Sequence, residues 1–205
     1  MKSEQDFYFT IERPGRASEL KVKGSRFIAC IFPVTSKSEI QTALDLLRKE
    51  FYDATHHCYA YRLGTRGETI RAADDGEPSG TAGKPILLAL SSRNLNDCLL
   101  VVVRYYGGTN LGTGGLARAY LEAAQLAVGG AAIRTVYLTN SFTIRLGYED
   151  VPRLEKLLAS FNAKTSDAQF GERVVMKAEI RKSLSDRFKA DILDTFYGKV
   201  IVSED

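Results

Sequence analysis

The sequence predicts a two-domain protein of the α/β (α+β) class, with a larger domain over residues 1–130 and a smaller one over 131–205. Two observations lead to this prediction. Strand-like and helix-like segments follow one another up to residue 128, where Gly129 and Gly130 end a helix and interrupt the pattern. The pattern then restarts as strand, helix, two strands, helix and strand, which is the βαββαβ order of a ferredoxin-like domain.

Hydrophobic periodicity predicts the elements of the larger domain. They are strands at 25–34, 57–63 and 97–106, helices from 36 to 51, from 84 onward and at 116–128, a loop at 71–83 and a glycine-dense turn at 107–115. Ser36 and Glu39 form a capping-box pattern in front of an apolar stripe with a period of 3.6 residues. The segment 97–106 is the most hydrophobic strand, and we therefore expect it at the centre of the sheet.

The smaller domain is predicted in the same way. Its elements are strands at 138–146, 164–170, 173–181 and 200–202, and helices that follow Asp150 and Ser185. Gly171 and Glu172 form the turn of a hairpin between the second and third strands. Both domains are long enough to enclose a hydrophobic core of their own.

The composition is that of a globular protein, since 44% of the 205 residues are hydrophobic and 26% are charged. The longest apolar runs, such as 99–103, are far shorter than the roughly 18 residues that a membrane span requires. Cys30, Cys58 and Cys98 are odd in number and widely spaced, which favours reduced thiols. We therefore expect a cytoplasmic protein with no membrane partner.

The distribution of charge points to an anion-binding surface. The net charge is only +3, but no Asp or Glu occurs from Cys98 to Leu121, a segment that contains Arg104 and Arg118. Glycines in the turn 107–115 lead into a helix, whose N-terminus attracts negative charge. These features favour phosphate as the ligand. The alternative stays open that the glycines only form a tight turn and allow close packing of the helix.

The loop 71–83 has several interpretations. Backbone N–H groups at the start of the following helix, together with Lys84, suit an anion. The loop is not a P-loop, because Pro78 replaces the first glycine of that motif and Pro85 replaces its Ser or Thr. Its acidic residues could bind a divalent cation or simply stabilise an acidic turn, and the turn is favoured. These acidic residues are Asp74, Asp75 and Glu77.

Tyrosines alternate with arginines near these segments, a pattern found on surfaces that stack bases and neutralise phosphates. Half-buried core tyrosines are the commoner explanation of the same pattern. The candidate anion- or nucleic-acid-binding residues are Arg62, Arg71, Lys84, Arg104, Tyr105, Tyr106, Gly107, Gly108, Gly112, Gly114, Gly115 and Arg118.

Neither a cofactor nor a metal ion is expected, and no catalytic residue is assigned. Gly112, Gly114 and Ala117 match a dinucleotide-binding fingerprint, but the motif is not on a first strand and no ribose-binding acidic residue follows it at the usual distance. His56 and His57 are adjacent on a strand and therefore point to opposite faces, so they cannot share a metal. A nucleophilic Cys58 is conceivable, but a structural role is favoured.

Two long blocks resemble the IMPACT/YigZ family, and in particular its bacterial YigZ-type members. They are ADDGEPSGTAGKP at 73–85 and VVVRYYGGTNLGTGGLARAY at 101–120, which we call the first and second signature blocks. The resemblance implies an N-terminal domain like the C-terminal domain of a small-subunit ribosomal protein, which also occurs in a translocation elongation factor. It implies that the ferredoxin-like tail is similar to another domain of that factor.

The resemblance also bears on function. Eukaryotic relatives regulate translation by competing for the activator of a translation-control kinase, and they bind actin, but they carry an additional N-terminal interaction domain. The first hypothesis is therefore a translation-associated protein that binds RNA or ribosomal phosphate through the basic, glycine-rich surface of its N-terminal domain. One alternative is an enzyme that acts on a small phosphorylated substrate at an acidic-loop metal site, which we favour less. The other is a protein-interaction adaptor.

Overall fold

The computed structural model describes residues 6–16, 19–166 and 168–204. Contacts divide the chain into two units, one formed by Tyr8–Val136 and the other by the described parts of Met1–Phe7 and Tyr137–Asp205. Helices and strands are mixed in both, so the two-domain α/β prediction is confirmed. The boundary between residues 130 and 131 stays a prediction.

The first part of the chain contains eight strands and three helices among its described residues. They are β1 (Phe7–Ile11), β2 (Gly15–Arg16), β3 (Leu20–Val22), β4 (Ser25–Pro33), α1 (Lys37–Glu50), β5 (His56–Leu63), β6 (Thr69–Ala73), α2 (Gly83–Ser92), β7 (Cys98–Tyr105), α3 (Gly112–Gly130) and β8 (Ile133–Tyr137). The Ser36 hydroxyl accepts a hydrogen bond from the Glu39 N–H, so the predicted cap starts α1.

An antiparallel sheet in the order β2-β4-β7-β5-β6 forms the centre of the larger unit, with β3 paired to β4. The hydrophobic strand β7 is central, as predicted. Its side chains alternate between two cores: Leu100 and Val102 face α2 and α3, whereas Leu99 and Val101 face α1. All four are fully buried. The unit is therefore a sheet between two helical layers.

Three features of this unit differ from the sequence prediction. The predicted loop 71–83 contains the end of β6, an edge strand whose exposed residues give no apolar alternation. The helix α3 begins at Gly112 rather than at residue 116, because Gly114 and Gly115 belong to its first turn although glycine has low helical propensity. Strands β1 and β8, which form a separate two-stranded sheet, were not predicted, and neither were the short strands β2 and β3.

The smaller unit has the predicted ferredoxin-like topology. Its elements are β9 (Thr139–Leu146), α4 (Val151–Ser160), β10 (Lys164–Thr165), β11 (Gln169–Phe170), β12 (Val174–Arg181), α5 (Ser185–Phe196) and β13 (Ile201–Glu204). The order of strands in the antiparallel sheet is β10-β12-β9-β13. The short strand β11 also pairs with β12, on the same edge as β10. The predicted strand 164–170 is thus two short strands, and its residue 167 lies outside the described residues. Asp150 precedes α4 but makes no side-chain cap.

No helix in the described parts of the two units is long and apolar enough to cross a membrane.

Candidate functional site

The two signature blocks meet at one end of the central sheet. Arg104, near the end of β7, is paired in register with Phe27 of β4 and His56 of β5. Directly paired residues of antiparallel strands point to the same face. Arg104 therefore points into the layer of α2 and α3, where the loop between β6 and α2 also lies.

Asp74 holds that loop closed. Its carboxylate accepts hydrogen bonds from the backbone N–H groups of Gly80, Ala82 and Gly83, at distances of 2.8, 3.0 and 2.8 Å. Burial opposes ionisation of Asp74, but these hydrogen bonds outweigh it and lower the pKa of the carboxyl group. The anion that we expected at the start of α2 is thus the side chain of Asp74 itself.

A buried polar cluster lies beneath this loop, and we call it the Glu77 cluster: Glu77, Arg104, Tyr120, Cys58 and Ser25. Arg104 Nη1 donates to Glu77 Oε1 at 2.6 Å, and the Tyr120 hydroxyl donates to the same oxygen at 2.8 Å. Arg104 Nη2 donates to Ser25 Oγ at 3.1 Å, and Cys58 Sγ lies 3.3 Å from the Tyr120 hydroxyl. The cluster therefore joins the first signature block to both ends of the second.

Burial determines the chemistry of the Glu77 cluster. The side chains of Arg104 and Glu77 are only 5% and 3% exposed, so their ion pair is screened from water. Burial, with the neighbouring Cys58 and Glu77, raises the pKa of Tyr120, and burial raises the pKa of Cys58 to about 12. Both groups therefore stay protonated at neutral pH. The Cys58 thiol donates to the carbonyl oxygen of Asp74 at 2.9 Å, which supports the structural role favoured for it.

His56 and His57 point to opposite faces, as predicted. His56 Nδ1 lies 2.7 Å from the carbonyl oxygen of Asp75, and its Nε2 lies 3.7 Å from Glu77 Oε1. His57 is buried on the α1 side, where burial lowers the pKa of its imidazole. The two rings therefore do not converge on one ligand.

The acidic residues of the first signature block have separate partners. Asp74 caps α2, Asp75 Oδ2 accepts a hydrogen bond from the His57 N–H at 2.7 Å, and Glu77 pairs with Arg104. Each carboxylate is used within the protein. Their arrangement fits the acidic-turn interpretation better than a metal site.

The glycines of the second signature block differ in what they do. Gly107 crosses the backbone of Gly24 so closely that a Cβ atom on Gly107 would lie 2.0 Å from the Gly24 carbonyl carbon. Gly108 and Gly112 have positive φ angles of 79° and 71°, which favour glycine in the turn. A Cβ atom on Gly114 would meet no atom within 4 Å, and its φ is not positive.

The N-terminus of α3 is open. No side chain caps it, no acidic residue occupies its first turn, and Gly112, Thr113 and Gly114 are exposed. Its first backbone N–H groups therefore have no intrahelical acceptor. Tyr106, which is 46% exposed, stands at the other end of the turn with its ring 5.4 Å from the Arg104 guanidinium carbon.

The predicted site residues do not all come together. Lys84 lies at the start of α2, and Arg118 lies in the second turn of α3. Both side chains are exposed on the side of the sheet where these two helices pack. Arg71 is paired in register with Tyr61, and Tyr105 with Arg26, which places Arg71 and Tyr105 on the α1 side of the sheet.

Arg62 lies at the other end of β5. It is paired with Cys98 at the start of β7, six residues from His56, or roughly 20 Å along the strand. It therefore cannot share a small ligand with the open end of α3.

Sequence reasoning missed two members of the Glu77 cluster, Tyr120 and Ser25. Tyr120 occupies a core position of α3, four residues after Leu116, and its apolar neighbours hide its polar role. Ser25 opens β4 with a fully buried hydroxyl, which no local pattern distinguishes from a turn residue. The available signal was opposite charge, because the first signature block contains three acidic residues, including Glu77, whereas the second contains two arginines, including Arg104, and no acidic residue.

Comparison with known proteins matches both units. The model of the Impact N-terminal domain matches residues 23–128, and that of a domain of unknown function (DUF1949) matches residues 144–199. The chain is similar to the IMPACT family member YvyE of Bacillus subtilis, with 31% identity over 197 residues, 96% of this chain and 90% of YvyE. It is similar to YigZ of Escherichia coli, with 30% identity over 182 residues, 88% of this chain and 89% of YigZ.

A eukaryotic relative and a solved structure extend these likenesses. The Protein IMPACT homolog of Dictyostelium discoideum is 38% identical over 94 residues, which are 44% of this chain and 27% of that protein. A crystal structure described as that of an hypothetical protein has 28% identity and a TM-score of 0.68, and the match covers 97% of each chain.

Proposed function

Because this chain belongs to the IMPACT family, we propose that it is a translation-associated, cytoplasmic protein that binds RNA through the open N-terminus of α3. The translation-linked role follows from the family resemblance. The observation that carries the proposal is the helix start at Gly112, which is exposed and has no side-chain cap. Phosphate oxygens are the ligands that such a helix start binds best.

Gly114 supports a ligand over a purely structural explanation. Glycine in a helix costs about 1 kcal/mol relative to alanine, and neither packing nor a positive φ requires it at this position. A residue that weakens the helix without a structural reason fits a place where a ligand comes close to the backbone. Gly107 is the opposite case, because its close contact with the Gly24 backbone is enough to explain why glycine occurs at that position.

The exposed charges on the side of the sheet that carries α2 and α3 suit a polyanion. Among the predicted site residues, Lys84 and Arg118 are the cations that are exposed on this side of the sheet. The second signature block contains no acidic residue. Tyr106 adds an exposed ring on which a base can stack. We leave Arg104 out of the RNA contacts, because it is buried and paired with Glu77. Its role is to hold the turn in place.

Salt-dependent RNA binding tests the proposal. In a titration of a mixed-sequence single-stranded RNA, we expect Lys84→Ala with Arg118→Ala to weaken binding and to reduce the slope of log K against log salt by roughly 1–2. The matched control is Lys37→Ala with Lys49→Ala, which removes two exposed cations from α1 on the other side of the sheet. Equal slopes for the two double variants would contradict the proposal.

A further inference from the structure

Two aromatic rings are exposed at one edge of the smaller unit. Phe170, in the edge strand β11, is 70% exposed and is the only exposed residue among the ten phenylalanines, all of which lie in the described ranges. It is paired in register with Val174, which is fully buried, so the hydrophobic core ends before it reaches Phe170. Tyr148, between β9 and α4, is 52% exposed. Exposed apolar side chains that lie together, unlike single ones, mark interaction sites.

The two rings are held as a pair. Their centroids are 6.2 Å apart, and their planes lie within 25° of parallel. The Tyr148 hydroxyl donates a hydrogen bond to the carbonyl oxygen of Gly171 at 2.7 Å, which fixes the tyrosine to the hairpin turn beside Phe170. The rings therefore form a flat surface that is in place before a partner arrives, so binding to it costs little conformational entropy.

Three carboxylates neighbour the ring pair. Glu149 and Asp150 directly follow Tyr148 in the sequence. Glu172 lies in the hairpin turn that follows Phe170. Within the described residues, none of the three carboxylates makes a hydrogen bond or an ion pair, so they are free to pair with a cation from outside. We call the two rings together with these carboxylates the acidic aromatic patch.

The charge of the acidic aromatic patch selects its partner. Its two segments, residues 148–150 and 170–173, contain three carboxylates and one cation, Arg173, which leaves a net charge of −2. Arg153, in the first turn of α4, lies over the core residue Phe196, with its guanidinium carbon 5.5 Å from the centre of that ring. A base could stack on the exposed rings, but this charge would repel the phosphates of a nucleic acid. A cationic partner is attracted by the same carboxylates.

We propose that the acidic aromatic patch binds an arginine-containing basic segment of a partner protein. A guanidinium group is flat and stacks on an aromatic ring, while its N–H groups pair with carboxylates beside that ring. Lysine supplies the charge but no flat group, so the patch prefers arginine. The inference goes beyond the proposed RNA binding and does not depend on it, because it concerns another unit and another class of partner.

Binding of synthetic peptides to the full-length chain tests the inference. The probe is a fluorescein-labelled peptide with arginine at every third position among glycine and serine, and its match has lysine in place of arginine. We expect the arginine peptide to bind more tightly than the lysine peptide. Phe170→Ala should weaken binding of the arginine peptide by about three- to tenfold and remove this preference, whereas Phe170→Trp should keep both.

The carboxylates are tested separately. Glu149→Gln with Glu172→Gln should weaken binding of both peptides and reduce its dependence on salt, because the charge is lost while the rings stay. One matched control is Tyr52→Ala, which removes a tyrosine that is 83% exposed in the larger unit. The other is Glu179→Gln with Asp194→Asn, which removes two exposed carboxylates of the smaller unit outside the patch. Both controls should bind the peptides like the wild type.

Three results would overturn the inference. The first is that the wild type does not bind the arginine peptide, or binds it no more tightly than the lysine peptide. The second is equal binding of the arginine peptide by the wild type and by Phe170→Ala. The third is that Phe170→Ala loses RNA binding and keeps peptide binding, which would make the rings a base-stacking surface. A failure of RNA binding at α3 changes none of the peptide measurements, so the two proposals fail separately.

Discussion

The Arg104 guanidinium donates to the Glu77 carboxylate at 2.6 Å inside the protein, and this ion pair connects the two signature blocks. The Tyr120 hydroxyl shares the same carboxylate oxygen, so α3, β7 and the loop before α2 converge on one atom. A charged pair of this kind fixes the positions of the loops at its ends, provided that both partners are present. The turn from Tyr106 to Gly112 thereby has a rigid base.

Removal of Arg104 should destabilise the larger unit severely. In Arg104→Ala, the Glu77 carboxylate stays buried without its cation, and we expect the free energy of unfolding to fall by about 3–5 kcal/mol. Urea denaturation at pH 7 measures this loss. The matched control is Arg16→Ala, whose exposed ion pair with Glu50 should contribute no more than about 1 kcal/mol. A loss at Arg104 as small as the loss at Arg16 would contradict the account of the Glu77 cluster.

Asp74 should make stability depend on pH in the acid range. The folded state lowers the pKa of Asp74, so its stabilising effect is complete above the ordinary value near 3.8 and is lost as the pH falls through the lowered value. We expect Asp74→Asn to be less stable than the wild type at pH 7 by about 0.5–2 kcal/mol, with the difference shrinking below pH 4.

Thermal unfolding of the Asp74 variant and the wild type between pH 2 and 7 checks this prediction. Asp150→Asn is a suitable control, because Asp150 precedes α4 without making a capping hydrogen bond. If the difference between Asp74→Asn and the wild type stays constant down to pH 2, Asp74 does not cap α2 as a carboxylate.

The three thiols should be unreactive in the folded protein. Burial raises the pKa of Cys58 and of Cys98 to about 12, and it also raises the pKa of Cys30. Thiolates are the reactive species, so iodoacetamide at pH 8 should label none of these cysteines until denaturant is added. Mass spectrometry of the intact chain measures the labelling. Rapid modification of Cys58 in the native protein would instead favour a nucleophilic role.

Sequence reasoning predicted most of the fold because most elements have a strong local pattern. The apolar run of β7 and the Ser36 N-cap of α1 are examples, and both occur where expected. The edge strand β6 has no buried face, so its sequence shows no apolar alternation and resembles a loop. It is a strand because its backbone pairs with β5.

The candidate site was harder to predict, because side-chain direction depends on register. Arg104 and Arg71 looked alike in the sequence, but pairing with neighbouring strands buries Arg104 and places Arg71 on the α1 side. Glu77 and Arg104 form a direct hydrogen bond although they are 27 positions apart in the sequence. Only the completed sheet brings them together.

Gly114→Ala tests the proposed RNA site most directly, because stability and binding should change in opposite directions. Alanine fits at Gly114 without a clash, so we expect the variant to be more stable by about 0.5–1 kcal/mol and to bind single-stranded RNA more weakly. Gly129→Ala, near the other end of α3, should be stabilised in the same way and bind RNA like the wild type. If Gly114→Ala binds RNA as tightly as Gly129→Ala does, the N-terminus of α3 is not the phosphate site.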